Sequence, residues 1–183
     1  MTTLRPGRSV RYYKIPYTRK SKYKSKNYVK TSIVPKITQY QSGNVVRSFD
    51  TKILVVAKID SITRDNALEA ARIVANKYLT DTLSDLNFKL ITVTYPHQIL
   101  REHKLATGAG ADRFSSGMQK SFGKPTGLAA RIHAGDQVFQ IHVQDVDIKQ
   151  GKIAASKMGK KLGFKTMFIV TKNEKPLTAP VSA

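Results

Sequence analysis

The sequence predicts an α+β fold: a two-layer sandwich of mixed or antiparallel strands with two helices packed on one side. Three observations carry that reading. Ile53 to Ala57 is an unbroken apolar run of strand length. Ala67 to Leu79 repeats its apolar residues at helical spacing, and paired alternating runs follow between Leu128 and Val143. Two appendages complete the plan, a basic extended N-terminal arm over residues 1–35 and a long Gly-rich loop over 102–120. The core domain is expected to span 36–171, with 172–183 as a C-terminal tail.

The elements follow in order. Lys36 to Tyr40 reads as a short strand and Gln41 to Asn44 as the turn after it. Ile53 to Ala57 has the pattern of a strand buried on both faces. The first long helix is expected to be capped by Asn66, with Glu69 at the capping-box position, and to end between Thr80 and Ser84. Leu68, Ala71, Ala75, Tyr78 and Leu79 share its inner face. Phe88 to Tyr95 reads as a strand stopped by Pro96, with His97 to Arg101 continuing extended. Leu128, Ala130 and Ile132, then Phe139, Ile141 and Val143, alternate with their neighbours, and predict a hairpin turning at Gly135. A second helix is expected over Lys149 to Lys161, with Ile153, Ala154, Met158 and Leu162 inward, although Gly151 and Gly159 count against it. Lys165 to Val170 is the last strand. Pro176 and Pro180 mark the tail.

Charge narrows the function. The 183 residues carry 32 Lys and Arg against 12 Asp and Glu, a net charge of +20. A chain this basic takes a polyanion as its natural partner, through phosphate neutralisation and counterion release. The charge is also uneven: no acid precedes Asp50, while Arg5, Arg8, Arg11, Lys14, Arg19, Lys20, Lys22, Lys24 and Lys26 crowd the arm. Tyr12, Tyr13, Tyr17, Tyr23 and Tyr28 interleave with them, which suits phosphate contacts alternating with stacking on bases. A solvated tail with its tyrosines tucked onto the domain is the plainer alternative. No cysteine is present, so thiolate metal sites and thiol chemistry are excluded. No apolar run reaches membrane-spanning length. Pro6, Pro16 and the tyrosines argue against a transit helix at the N-terminus.

The stretch KLATGAGADRFSSGMQKSFGKPTG, Lys104 to Gly127, holds five of the eleven glycines. It has little apolar area to bury, so it reads as a functional loop displayed between strands. Its Gly117 to Thr126 portion nearly mimics a phosphate-binding P-loop. The mimicry fails because five residues separate Gly117 from Gly123, and because Pro125 splits the lysine from the hydroxyl and removes an amide. Gly108-Ala-Gly110 lacks the third glycine of a dinucleotide fingerprint. His97, His103, His133 and His142 have no metal-ligand spacing, and the acids are scattered. No nucleophile, base and oxyanion site assembles, so no enzyme is expected. Binding remains, through the arm, the loop, Lys124, and a strand presenting Arg131 and His133.

Ala67-Leu-Glu-Ala-Ala-Arg-Ile-Val-Ala-Asn-Lys-Tyr78, Gly108-Ala-Gly-Ala-Asp-Arg113, Gly117-Met118 and Phe122-Gly-Lys-Pro-Thr-Gly-Leu-Ala-Ala-Arg-Ile-His133 together resemble one family. It is the universal large-subunit ribosomal protein family called L-sixteen in bacteria and L-ten-e in archaea and eukaryotes. The opening from Arg5 to Lys14 is similar too, and the resemblance covers roughly residues 4–170. It implies an α/β-hammerhead-like fold and a cytoplasmic, ribosomal role in translation and late subunit assembly. The implied partners are large-subunit rRNA, tRNA in the aminoacyl and peptidyl sites, and neighbouring subunit proteins, with no cofactor, metal, membrane or small-molecule substrate. It places Arg5, Arg8, Arg11, Tyr12, Tyr13, Lys14, the arm's further Arg and Lys residues, Lys124, Arg131 and His133 on rRNA. The loop, with His103, Lys104, Gly108, Gly110, Asp112, Arg113, Gly117, Met118 and Lys120, would point toward tRNA and the peptidyl-transferase centre. The sequence departs from the family after the last strand, where a Trp-containing stretch is replaced by Thr171-Lys-Asn-Glu-Lys-Pro176. The eukaryotic C-terminal extension is missing as well, which points to the archaeal type.

Overall fold

A computed structural model describes residues 4–11, 33–119, 121 and 123–172. The described chain is α+β. Its strands are β1 (Gln41–Gly43), β2 (Thr51–Ala57), β3 (Ser61–Arg64), β4 (Phe88–Thr92), β5 (Gln98–Glu102), β6 (Lys124–Ile132), β7 (Gln137–Val143) and β8 (Thr166–Lys172). Its helices are the single turn α1 (Arg8–Arg11) and the long α2 (Asp65–Leu83) and α3 (Ile148–Leu162). Two sheets form, one ordered β1-β4-β7-β2-β8 and one ordered β3-β6-β5. Every pairing is antiparallel.

The core lies between the larger sheet and the two long helices. β2 is buried along its length except at Lys52, as its continuous apolar run predicts. Ile53, Val55, Phe88, Leu90, Phe139, Ile141 and Val143 face Leu68, Ala71, Ala75 and Leu79 of α2 and Ala154, Ala155 and Met158 of α3. Each large side chain fully buried here stabilises the fold by roughly 1.5–3 kcal/mol. Small residues on both helices let them approach each other and the sheet. Gly151 is part of that contact: a Cβ there would stand 2.5 Å from Ile53 Cδ1. The glycine counted against the second helix is thus what seats it. Ile153 is not inward as expected but 46% exposed. The buried set, Gly151, Ala154, Ala155, Met158 and Leu162, follows the i, i+3, i+4 spacing that 153 breaks.

The helix start also differs from the expectation. Arg64 is the N-cap of α2, with no side-chain cap, and Asn66 is already helical. β3 runs directly into α2, so the helix begins at Asp65. Its carboxylate accepts the amides of Asn66 (2.8 Å) and Lys36 (3.1 Å), placing a negative group at the helix N-terminus. Glu69 does not turn back to the cap. It takes a bidentate pair from buried Arg72, Nη2 to Oε1 at 2.6 Å and Nε to Oε2 at 3.0 Å. Arg72 Nη1 also donates to Gln39 Oε1 and Ser42 Oγ, both at 3.3 Å, which ties the chain before and within β1 to α2. Hydrogen bonding to Glu69 holds the Arg72 guanidinium above its already high value.

The early strand is displaced. Lys36 to Tyr40 is irregular, and the strand is Gln41–Gly43, where a turn is expected. Ile37 is buried and Tyr40 stacks on Tyr95 at 5.7 Å, so this segment serves mainly packing, with one backbone bond, Thr92 N to Tyr40 O at 2.7 Å, joining it to β4. Gly43 pairs with β4 so closely that a Cβ would meet Phe88 O at 2.3 Å. The expected strand from Phe88 to Tyr95 ends at Thr92, and the extended segment after Pro96 becomes β5 of the other sheet. β3 is an element that the periodicity does not reveal.

The largest correction concerns the hairpin. A turn does sit at Gly135, with Asp136 N donating to His133 O at 3.0 Å, but β6 and β7 do not pair. β6 lies between β3 and β5, and β7 between β4 and β2. The turn is clamped to the end of β2, Gly135 N to Ala57 O at 2.9 Å and Ala57 N to Asp136 O at 3.0 Å. The chain therefore crosses from one sheet to the other there. The real hairpin is β5–β6, and the Gly-rich loop is its connection.

Candidate nucleic-acid interface

The loop is built on a closed base. Glu102 pairs with Lys124 where β5 ends and β6 begins. Arg101 Nη1 donates to Gly123 O at 3.1 Å, and Thr126 Oγ1 donates to Leu100 O at 3.3 Å. Gly123 crosses the Glu102 backbone so tightly that a Cβ would lie 2.6 to 2.9 Å from its C, O and N atoms. The Gly-Lys-Pro sequence that mimics a P-loop thus opens a β-strand, where a P-loop requires a helix N-terminus. One turn further out, His103 Nε2 stands 2.9 Å from Gly117 O. A carbonyl only accepts, so this contact fixes the Nε2–H tautomer.

Beyond the base the loop is shaped by its backbone. Gly108, Gly110 and Gly117 take positive φ, and Gly110 leads into a 3-10 turn at Ala111–Arg113. Asp112 and Arg113 are exposed, as are Met118 and Phe114, the latter 88%. Among the described residues, no ring contact covers this large apolar side chain. Lys104 pairs loosely with Glu102, Nζ to Oε2 at 3.7 Å. A hollow of about 460 Å³ at the loop's root is lined by His103, Lys104, Phe114 and Lys124 among others. Lys120 lies outside the described residues.

The start of the arm is docked. Arg64 Nη2 donates to Pro6 O at 3.2 Å, and Ser61 Oγ to Arg11 O at 3.4 Å, holding residues 6–11 on β3. Arg5 approaches Glu102 at 4.0 Å and stays largely exposed, as does Arg8. Arg11 is half-buried, with its guanidinium against Gly163 at the C-terminus of α3, where a cation meets the negative end of the helix. Tyr12, Tyr13, Lys14, Arg19, Lys20, Lys22, Lys24 and Lys26 lie outside the described residues.

β6 carries the other predicted cations. Lys124 and Arg131 are exposed at its two ends, about 23 Å apart at the rise of a strand, too far for one small anion to meet both. His133, just past β6, donates its amide to Asp136 Oδ2 at 2.7 Å, and its ring Nδ1 lies 3.8 Å from Asp60. The structure thus brings His103, Lys104, Lys124 and Arg5 together at the loop root. It leaves Arg131 and His133 at the far end of the same strand. Arg101 and Gly123, which secure the root, were not legible as site residues because their work depends on the β5–β6 register.

Several acids are taken up by hydrogen bonds within the fold. Asp145 accepts from Thr51 Oγ1, Asp85 from Thr80 Oγ1, and Asp60 from the Ala134 amide. No group of three or more His, Asp or Glu side chains able to hold a metal gathers among the described residues.

Residues 14–169 match the family described as ribosomal protein L16p/L10e. The chain belongs to that family. Its similarity to archaeal members runs nearly end to end. It is 39% identical over 170 residues to the large ribosomal subunit protein uL16 of Methanococcus aeolicus, covering 92% of this chain and 95% of that one. It is 38% identical to the uL16 of Staphylothermus marinus over 179 residues, 97% and 99% of the two chains. The uL16 of Archaeoglobus fulgidus is 37% identical over 177 residues, 97% and 98%. The family is one of structural ribosomal proteins of archaeal type here, and the chain is not an enzyme.

Proposed function

We propose that this protein is a structural constituent of the large ribosomal subunit, bound to its rRNA near the aminoacyl-tRNA site and the peptidyl-transferase centre. The arm with Arg5 and Arg8, together with Lys124, Arg131 and His133, neutralises rRNA phosphates. The loop 102–120 reaches toward bound tRNA and supports translation and late subunit assembly. One observation carries the reading: in a ribosomal family, a loop tied at its root by Gly123, Arg101 and His103 leaves Phe114, Met118 and Arg113 open to solvent. That geometry suits an element which acts at a distance from the domain anchoring it.

Deleting Ala106 to Met118, with a short linker restoring the chain, tests this. Co-sedimentation with the large subunit is expected to persist while tRNA binding falls. If incorporation alone is lost, the loop is an assembly element and the tRNA reading is wrong. Affinity for large-subunit rRNA is expected to fall with salt at a log–log slope of about 0.7–0.9 per neutralised phosphate. A salt-insensitive affinity overturns the electrostatic account.

A further inference from the structure

The larger sheet has a second face, turned away from α2 and α3. Strand pairing determines what it displays. His142 on β7 stands directly opposite Lys52 on β2 and Lys89 on β4, and residues paired across strands share a face. Lys89, His142 and Lys52 therefore lie abreast on three consecutive strands, the outer pair about 10 Å apart at the usual strand spacing. The row continues to Thr171 on β8 and Gly43 on β1, which carry no charge. The next row on this face is Gln41, Ile91, Gln140, Leu54 and Ile169.

None of the five strands contains an Asp or Glu. Like charges set side by side across a sheet are unfavourable, and no acid of the sheet offsets them. Burial first, then the charges of Lys52 and Lys89, lowers the His142 pKa to about 4, so its imidazole is neutral between the two ammonium groups. Lys89 Nζ donates to Val45 O at 3.1 Å, which holds its charge near the strand. Gln41, Ile169 and Thr171 are exposed, and Lys52, Lys89, Gln140 and His142 are half-buried. Leu54 is buried, and a protein partner docking on Ile91 and Ile169 would bury the two ammonium groups. Without carboxylates of its own to meet them, that is costly. A phosphate backbone meets them directly.

We propose that this sheet face is a second RNA-contact surface, separate from the arm and the loop, on which Lys52 and Lys89 neutralise phosphates of one rRNA segment. The proposal rests on the rRNA-binding reading above. The test uses the full-length protein and protein-free archaeal large-subunit rRNA, with affinity measured across a salt series. Replacing both lysines, Lys52→Gln with Lys89→Gln, is expected to lower the log–log salt slope by about 1.4–1.8 and to weaken binding on the order of tenfold or more at 0.1 M salt. The thermal midpoint is expected to hold, and Lys52→Arg with Lys89→Arg to keep the slope. An unchanged slope in the glutamine variant overturns the proposal. So does an unchanged slope with lost subunit incorporation, which assigns the face to a neighbouring protein. An Arg5→Gln, Arg8→Gln variant separates the two readings: if it lowers the slope while the sheet variant does not, the sheet proposal falls and rRNA binding through the arm stands. If the unmodified protein itself binds without salt dependence, the broader reading falls too.

Discussion

The two sheets of this protein use their strands in opposite ways. The five-stranded sheet places Ile53, Phe88, Phe139 and Ile141 against two helices with no exposure. The three-stranded sheet buries Ile62, Leu128 and Ile132 but sends the chain between β5 and β6 out into a loop whose Phe114 and Met118 stay open. One sheet is stabilised by apolar area, the other is organised to present a segment that contributes almost none. Stability and presentation are thus assigned to different parts of one fold.

The strongest way to break that contrast is to remove a core ring. Phe139→Ala is expected to destabilise the protein by about 3–5 kcal/mol in chemical denaturation, through lost transfer energy and a cavity. A loss below about 1 kcal/mol would mean the larger sheet is not the stability centre. Next comes the hinge between the two roles. Gly123→Ala places a methyl on the Glu102 backbone and is expected to cost about 1–3 kcal/mol by overpacking, with faster amide exchange in Leu100 to Glu102 and Lys124 to Gly127. Unchanged exchange there would show that the loop root is not under that constraint.

A pH experiment probes the outer face of the larger sheet. The folded His142 pKa, about 4, lies below the ordinary value of 6.5, so the unfolded state binds the proton more readily. Its contribution is present above pH 6.5 and is lost as pH falls toward 4. Allowing for solvent screening of a half-exposed group, the loss is about 1–2 kcal/mol. It is read as the difference between the unmodified protein and His142→Gln, so that carboxylates cancel; parallel stability curves from pH 7 to 4 would refute it. The smallest effect belongs to the loop. Phe114→Ala is expected to change stability by less than about 0.5 kcal/mol, and a larger thermal shift would show that the ring packs on the domain.

The legible part of the fold was its local part. The β2 run and the inner face of α2 are written in neighbouring residues, because burial on two faces or on one stripe selects residue types at a fixed period. The errors share one cause. Alternation in β6 and β7 shows that each is a strand but carries no address for its partner, so a short connection suggested a hairpin that the structure does not form. Asn66 offered good capping chemistry, yet β3 enters the helix two residues earlier, so that Arg64 stands at the cap and Asp65 opens the first turn. Gly151 and Gly159 counted as helix weaknesses because propensity sees only the isolated helix, not Ile53 pressed against it.

The same division holds for the site. By itself the sequence determined the basic N-terminal composition, the lack of an acid before Asp50, the Gly-rich stretch and the failure of its P-loop mimicry, since each depends on composition or spacing along the chain. Only the tertiary structure decided that the loop closes the β5–β6 hairpin, that Gly123 and Arg101 lock its root, and that Lys52, His142 and Lys89 stand in one row. Those facts are pairings between residues far apart in sequence. Strand register is settled by the burial of whole faces at once, which no single segment encodes.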